Sequence, residues 1–208
     1  MTIRPTSSDR VSALPLFPSL PALPASPFSL AGAGLVLRDW TDDDLPAMVE
    51  LFDEAEVARW TPLPSPFDLE AARRYLARAR DARGEGRRIQ LAVTTDGGAP
   101  LGEVLAMPRG DGREVELGYA IGAAHRRRGL SSRTVRLVTG FAYDVLGSRR
   151  ILLRIAPDNE ASCAVARSAG FQVTDAPPDV VETPDGSRQT LRFWEHRRGG
   201  AAPRPRRG

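Results

Sequence analysis

Residues 116–132 carry the densest set of side chains suited to binding an anion. An apolar strand leads into a turn with three successive arginines, Arg126 to Arg128, followed by Gly129 and the start of a helix. The first amides of a helix lack carbonyl partners within it, and the helix dipole adds positive potential there. Arginine contributes charge-assisted donors, and glycine lets a phosphate approach the backbone. The pattern predicts a diphosphate site, although an arginine-rich turn exposed to solvent is an alternative.

A second polar cluster opens a later helix. Asn159 occupies its predicted N-cap, and Ser162 lies in its first turn. Cys163 is the only cysteine, so no intramolecular disulfide can form, and we interpret it as a packing residue because no base is evident beside it. The two histidines, His125 and His196, are too few and too far apart to predict a metal site.

The basic residues exclude several kinds of chemistry. All 29 are arginine, and the chain contains no lysine. Schiff-base and pyridoxal-phosphate enzymes need a lysine, as does a Walker-type phosphate loop. These three classes are therefore ruled out.

Composition divides the chain into three parts. Residues 1–33 have prolines at every third position from 15 to 27, which predicts an extended or disordered arm. The arm could bind an aromatic-lined groove or be a plain extension. Residues 34–196 read as one folded domain, and residues 197–208, with five arginines and no acid, as a disordered, solvated tail with no nucleic-acid partner expected. No apolar run is long enough for a membrane span, so we expect a cytoplasmic protein without a membrane partner.

Periodicity and turn signals predict the elements that must position these groups. Thr41 with Asp44 resembles a capping box, and Asp68 fits the N-cap of a second helix. The predicted helices span about 41–55, 68–83, 130–146 and 160–169, and the strands 35–38, 89–95, 101–107, 114–121, 151–155, 171–174 and 190–195. A three-strand meander that leads into a strand–helix–strand crossover predicts an α/β (α+β) domain with a mixed, mostly antiparallel sheet.

The anion loop resembles a motif of the GNAT superfamily, the acetyl-coenzyme-A-dependent N-acetyltransferases. Arg126-x-x-Gly129-x-Ser131 is similar to the family's Arg/Gln-x-x-Gly-x-Gly/Ala motif, with Ser131 in place of the last small residue. The resemblance implies a GNAT-like fold in which the crossover binds the coenzyme. It covers about residues 34–196.

The later helix is similar to one branch of that superfamily. Asn159-x-x-Ser162, followed by Gly170-Phe171, resembles a segment of the ribosomal-protein (alanine) N-terminal acetyltransferases. Many GNAT enzymes have a tyrosine, the proton donor to the departing thiolate, seven residues after the asparagine, but here that position is Ala166. The resemblance implies that Ser162 faces the thiol instead; a plain helix-surface serine is the alternative.

The resemblance implies acetyl-CoA as co-substrate, with no metal. Loop amides would hold the pyrophosphate, the strand before the loop would supply N–H donors for the thioester oxygen, and the asparagine would bond the pantetheine arm, cap its helix, or do both. The expected coenzyme contacts are Tyr119, Ala120, Ile121, Arg126, Arg127, Arg128, Gly129, Leu130, Ser131, Ser132 and Asn159.

The amine acceptor must attack as its free base, so a general base is expected. Glu116 on the strand before the loop and Glu182 in the segment after Phe171 are the candidates, and for each the alternative is a plain surface acid. The implied reaction is direct transfer of acetyl to a primary amine, either a protein N-terminus or a small amine. A non-catalytic acyl-CoA-binding module that signals through the proline-rich arm is the alternative, and a homodimer is left open.

Overall fold

The computed structural model describes residues 23–183 and 186–199. In this part of the chain, nine strands form a sheet in the order β1-β2-β3-β4-β5-β6-β9-β7, and β8 pairs with β9 alone. Every pairing is antiparallel except that of β5 with β6. The predicted mixed α/β sheet with its crossover is confirmed. The strands are β1 Ser29–Gly32, β2 Leu35–Asp39, β3 Ile89–Thr94, β4 Gly102–Arg109, β5 Glu114–Ile121, β6 Arg150–Ile155, β7 Gln172–Val173, β8 Asp179–Glu182 and β9 Arg188–Arg197. The helices are α1 Leu45–Phe52, α2 Ala55–Trp60, α3 Leu69–Gly84, α4 Leu130–Asp144 and α5 Glu160–Ser168.

The sheet separates two hydrophobic cores because alternate residues of each strand point to opposite faces. On one face, Val115 and Leu117 of β5 belong to the core shared with α4 and α5. On the other face, Ala120 of β5 packs against the core built from α1, α2 and α3. Strand β5 therefore contacts both layers, and its end is fixed from both sides.

The predicted capping box is present, but the helix it opens is shorter than expected. Thr41 and Asp44 begin a 3-10 turn that leads into α1, and α1 ends at Phe52 instead of continuing to residue 55. Asp53 follows, and its carboxylate accepts a hydrogen bond of 2.9 Å from the amide of Phe67. This long-range bond accompanies a break that local sequence does not signal, after which α2 starts as a separate helix.

The folded domain begins before residue 34. Strand β1 pairs with β2, and Leu23, Phe28 and Leu30 pack against the core on the α4 side. The ring of Phe28 lies 5.4 Å from that of Phe141. The predicted boundary between an extended or disordered arm and a domain that begins at residue 34 is therefore too late, because these partly buried side chains already pack against the core. Residues 1–22 of the arm and 200–208 of the tail lie outside the described residues, and Arg197, predicted as tail, is the last residue of β9.

No helix in the described residues is long and apolar enough to cross a membrane.

A carboxyl group is buried between the sheet and α3. Glu103 of β4 accepts hydrogen bonds from the Tyr75 hydroxyl at 2.6 Å and the Gln90 amide at 3.0 Å. Burial raises the pKa of Glu103 to about 7, although Tyr75, Arg88 and Gln90 oppose the rise. This acid is neutral in the folded protein at a pH where the unfolded chain has already lost the proton.

We expect Glu103→Gln to remove part of the pH dependence of stability. Between the ordinary carboxyl pKa and about 7, the folded state of the wild type holds a proton that the unfolded state lacks, so its free energy of unfolding falls as pH rises. The full loss is on the order of 3 kcal/mol. Thermal denaturation from pH 4.5 to 8 should show the wild-type melting temperature declining more than that of the variant; parallel curves would contradict this account.

Candidate active site

Strands β5 and β6 pair at their beginnings and part at their ends. Their parallel register runs from Glu114–Arg150 to Leu117–Leu153 and then stops. β5 nevertheless continues to Ile121 while paired with β4, and β6 continues to Ile155 while paired with β9. The sheet therefore contains a gap that widens toward the carboxyl ends of these two strands.

Backbone amides line the β5 side of this gap. The Gly122 amide donates to the Leu101 carbonyl, on the β4 side, at 3.1 Å. Since successive residues of a strand direct their amides to opposite edges, the amides of Tyr119 and Ile121 face the gap. These residues lie within the predicted segment 119–121, whose middle residue, Ala120, directs its amide toward β4 instead. Two donors are thus available to an oxygen held in the gap.

The predicted anion loop has the expected geometry. Gly129 adopts a left-handed φ of +68° immediately before α4, a conformation that favours glycine. The first amide of α4 with a turn-closing partner is that of Arg133, which donates to the Gly129 carbonyl at 3.1 Å. The amides of Leu130, Ser131 and Ser132 precede it and are free for an anion. The Ser132 hydroxyl is already hydrogen-bonded to the Ser168 hydroxyl at 2.8 Å.

Two of the three loop arginines face solvent without a partner. Arg127 and Arg128 are exposed and form no hydrogen bond or ion pair with any other residue in 23–183 or 186–199. Arg127 also has a left-handed φ of +61°. Free amides at the start of a 15-residue helix beside two unpaired guanidinium groups suit a diphosphate.

The third arginine is placed differently from the sequence prediction. The Arg126 guanidinium donates its Nε–H to the Ile121 carbonyl at 3.0 Å, and its two Nη atoms bind Glu56 and Glu54. The sequence motif predicts a phosphate contact for this side chain, but in the structure it links the end of β5 to the start of α2. Nothing in the local sequence could have shown this, because its partners are 70 and 72 residues away.

On the other side of the gap, Asn159 caps α5. Its side-chain oxygen accepts a hydrogen bond of 3.0 Å from the amide of Ser162, which confirms the N-cap interpretation. The bond holds Ser162 in the first turn of the helix. One turn later, Ala166 is completely buried, so this helix position has no room for the tyrosine that many family members carry there.

A tyrosine hydroxyl approaches Ser162 from the strand instead. The side chain of Tyr119 packs against the core on the α4 side. Its hydroxyl is buried and has no hydrogen-bond partner among the described residues. Burial raises the pKa of Tyr119 to about 12, and the neighbouring Ser162 opposes the rise. The sequence prediction concerned only the backbone of Tyr119. Because side chains alternate along a strand, its ring is expected on the same face of β5 as Leu117, which is the signal that could have located it.

The first candidate base is engaged elsewhere. Glu116 is buried, and its two carboxylate oxygens bind Arg154 at 2.7 Å and Arg109. Arg154 also binds Asp179 of β8 at 2.6 Å. This network links β8 to β5 and β6, and it engages both carboxylate oxygens of Glu116.

A cleft of about 740 Å³ adjoins the segment that follows β6. One wall is α2 with the residues after it, a second is Pro157 and Asp158, and the third is the β8–β9 hairpin. Arg59 of α2 bridges the cleft to Asp158 at 3.1 Å and stacks over Trp60 at 4.3 Å from the ring centroid. Glu182, the second candidate base, is exposed on β8 in register with Arg188, and the adjacent Thr183 lines the cleft.

The described residues contain no group of three or more His, Cys, Asp or Glu side chains arranged to hold a metal ion.

The family follows from comparison with known proteins. The model of the acetyltransferase (GNAT) domain matches residues 34–172. The chain therefore belongs to the GNAT acetyltransferase family and is an acyltransferase, as the two motifs predicted. YoaA of Bacillus subtilis strain 168, described as an uncharacterized N-acetyltransferase, is 31% identical over 143 residues, which are 66% of this chain and 79% of that protein.

Solved structures agree on the fold. A Vibrio cholerae protein described as a ribosomal-protein-serine acetyltransferase has a TM-score of 0.72 at 18% identity, covering 82% of this chain and 97% of that one. Mycobacterium smegmatis RimJ, solved with CoA-disulfide, has a TM-score of 0.68 at 17% identity over 82% and 86% of the two chains. The microcin C7 self-immunity acetyltransferase MccE, solved with acetyl-CoA and AMP, has a TM-score of 0.69 at 13% identity over 80% and 93%.

Charge reversal at the two unpaired arginines should weaken coenzyme binding. We expect Arg127→Glu with Arg128→Glu to raise the Kd of coenzyme A at least about tenfold, because two charge-assisted contacts become repulsive. Arg73→Glu with Arg74→Glu is the matched control, since it changes the net charge equally on α3, across the sheet from the loop. Isothermal titration calorimetry measures both; equal Kd values for the two variants would remove the anion site.

Proposed function

We propose that this protein transfers acetyl from acetyl-CoA to a primary amine by direct attack. The observation that supports the proposal most is the gap between β5 and β6: the free amides of one strand border it, the anion loop follows that strand, and a cleft adjoins the end of the other. A bound pantetheine arm could complete the edge of β5 there, as a strand would. The described residues thus fit the coenzyme that the family implies.

On the donor side, acetyl-CoA supplies the thioester carbonyl and the thiolate leaving group. The amides of Leu130 to Ser132, with Arg127 and Arg128, are assigned to the diphosphate. The amides of Tyr119 and Ile121 are assigned to the carbonyl oxygen, where preorganised N–H donors stabilise developing negative charge. The Asn159 side chain caps α5 through its oxygen, and its amide nitrogen remains for the pantetheine arm.

Two protons must move during the transfer. The amine nitrogen forms a bond to the carbonyl carbon and loses a proton, while the carbon–sulfur bond breaks and the sulfur gains one. Ser162 is the proposed proton donor to sulfur. Its amide is fixed by Asn159, and the neighbouring Tyr119 hydroxyl is buried with no hydrogen-bond partner in the described chain. The tyrosine can donate to the serine oxygen as the serine gives up its proton.

The base that receives the amine proton is less defined. Glu116 is not assigned this role because both of its oxygens bind arginine. Glu182 stays the proposed candidate: it is exposed beside the cleft and forms no ion pair with the described residues. An α-amino group, with a pKa near about 7.7–8, needs less help than an alkylamine near about 10.4. An exposed carboxylate can therefore deprotonate a protein N-terminus more easily than an alkylamine.

Turnover with chosen amines tests the function. Release of free thiol should be measured with acetyl-CoA and with tetrapeptides beginning in alanine or serine, or with 1,4-diaminobutane. We expect saturable turnover and a larger kcat/KM for the peptides. If acetyl-CoA raises the melting temperature but a wider amine panel gives no turnover, the protein is a coenzyme-binding module; if acetyl-CoA has no effect, the coenzyme assignment fails as well.

Substitution of the proposed proton donor should affect the chemical step. We expect Ser162→Ala to lower kcat by about 10- to 100-fold with little change in the Kd of coenzyme A, because proton transfer to sulfur is lost. Tyr119→Phe should lower kcat less, and the double variant should be no slower than Ser162→Ala. Steady-state kinetics and calorimetry measure these values.

Tyr143→Phe is the control for the tyrosine, because Tyr143 has its own partners, the ring nitrogen and carbonyl of His196, at 2.9 and 2.7 Å. Its kcat should match the wild type. Unchanged kcat in Ser162→Ala would remove the serine from the mechanism, and strictly multiplicative losses in the double variant would show that the two hydroxyls act independently of each other.

A further inference from the structure

Helix α2 is weakly anchored by its own residues. Of its six residues, Val57 alone is buried, and its N-cap, Glu54, forms no capping bond with its side chain. Yet Ala55, Ala58, Arg59 and Trp60 all line the cleft beside Glu182, the cleft in which the amine acceptor of the proposed reaction would bind. A wall with so little apolar burial depends on polar contacts to fix its position.

Three ion pairs, one at its C-terminal end and two at its start, attach α2 to the coenzyme side of the molecule. At its C-terminal end, Arg59 binds Asp158, but both side chains are more than 60% exposed, and such pairs contribute little. At its start, Arg126 binds Glu54 and Glu56; the side chains of Arg126 and Glu54 are 33% and 25% exposed, and that of Glu56 is 63% exposed. The Arg126–Glu54 pair is therefore better shielded from water than the Arg59–Asp158 pair, and its cation also binds a second carboxylate.

The same guanidinium also holds the end of β5. Its Nε–H donates to the Ile121 carbonyl at 3.0 Å, while Nη1 and Nη2 bind Glu56 and Glu54. A planar guanidinium with donors on three sides can join three acceptors rigidly, whereas a lysine ammonium has no such fixed geometry. Arg126 therefore connects the strand whose amides face the thioester oxygen to the helix that lines the acceptor cleft.

We infer that Arg126 is a positioning residue for the acceptor and not a ligand of the coenzyme diphosphate. This inference rests on the proposed function for what the cleft binds. The cluster of one guanidinium and two carboxylates carries a net negative charge, which does not attract a diphosphate. The neighbouring Arg127 and Arg128 are unpaired among the described residues and meet that need, so the three successive arginines divide between two tasks.

Kinetics should separate these tasks. For Arg126→Ala we expect an acceptor KM raised about tenfold, a smaller change in kcat and a Kd of coenzyme A within about twofold of the wild type. Arg127→Ala should do the reverse, raising the coenzyme Kd and leaving the acceptor KM unchanged. Glu54→Gln with Glu56→Gln should reproduce the Arg126→Ala pattern without touching any cation of the loop. Arg126→Lys should give only partial recovery.

Amide hydrogen exchange gives a readout that needs no acceptor. Exchange in residues 55–60 should accelerate in Arg126→Ala and in the double glutamine variant, while exchange in α4 stays as in the wild type. The exchange experiment remains informative even if no amine is turned over, so failure of the proposed function and failure of this inference can be told apart. The acceptor in the kinetic experiment is the tetrapeptide that begins with alanine.

Two results would overturn the inference. If Arg126→Ala raises the Kd of coenzyme A as much as Arg127→Ala does, Arg126 is a phosphate ligand. If exchange in residues 55–60 is unaltered in both Arg126→Ala and the double glutamine variant, the guanidinium does not hold α2. The glutamine variant keeps the test valid even if loss of the arginine impairs folding.

Discussion

The early end of the β5–β6 ladder is the constraint on which the site depends. A parallel pair that ran its full length would satisfy the amides of Tyr119 and Ile121 and close the sheet. Instead the two strands share four register pairs and then pair only with their outer neighbours. β4 and β9 hold them apart, and the helices that follow each strand, α4 and α5, begin on either side of the opening. Backbone donors that a sheet normally uses internally are thereby available to a ligand.

Charged side chains link the parted strands to their neighbours, and the partners of these side chains could not be predicted from the sequence. The elements with strong local signals were predicted well: α3 after its Asp68 cap, β5 to the residue, and α4 after Gly129. The break between α1 and α2 was missed. So were the two carboxylate partners of Arg126, which are 70 and 72 residues away, and the pair of Glu116 with Arg154, whose members are 38 residues apart.

The tyrosine near Ser162 shows a different limit. The family's usual position for that side chain is on α5, where Ala166 is enclosed by the core. Here a phenol reaches the same neighbourhood from β5, through Tyr119. A motif read along one helix cannot reveal a group that arrives from the facing strand, although strand alternation, applied to residues 115–121, indicates which face the ring takes. The role proposed for Tyr119 therefore depends on a contact between two elements that no single motif contains.

The cations of the anion loop have one more consequence. Arg127 and Arg128 face the place assigned to a reactive acyl donor, and the chain has no lysine in any position. A lysine there would spend a small part of its time as a free amine and could be acylated, with loss of its charge. A guanidinium, protonated at any pH the protein meets, is not a nucleophile. The side chains proposed to bind the donor are therefore inert toward it, and the sequence contains no lysine side chain that could compete with the amine acceptor.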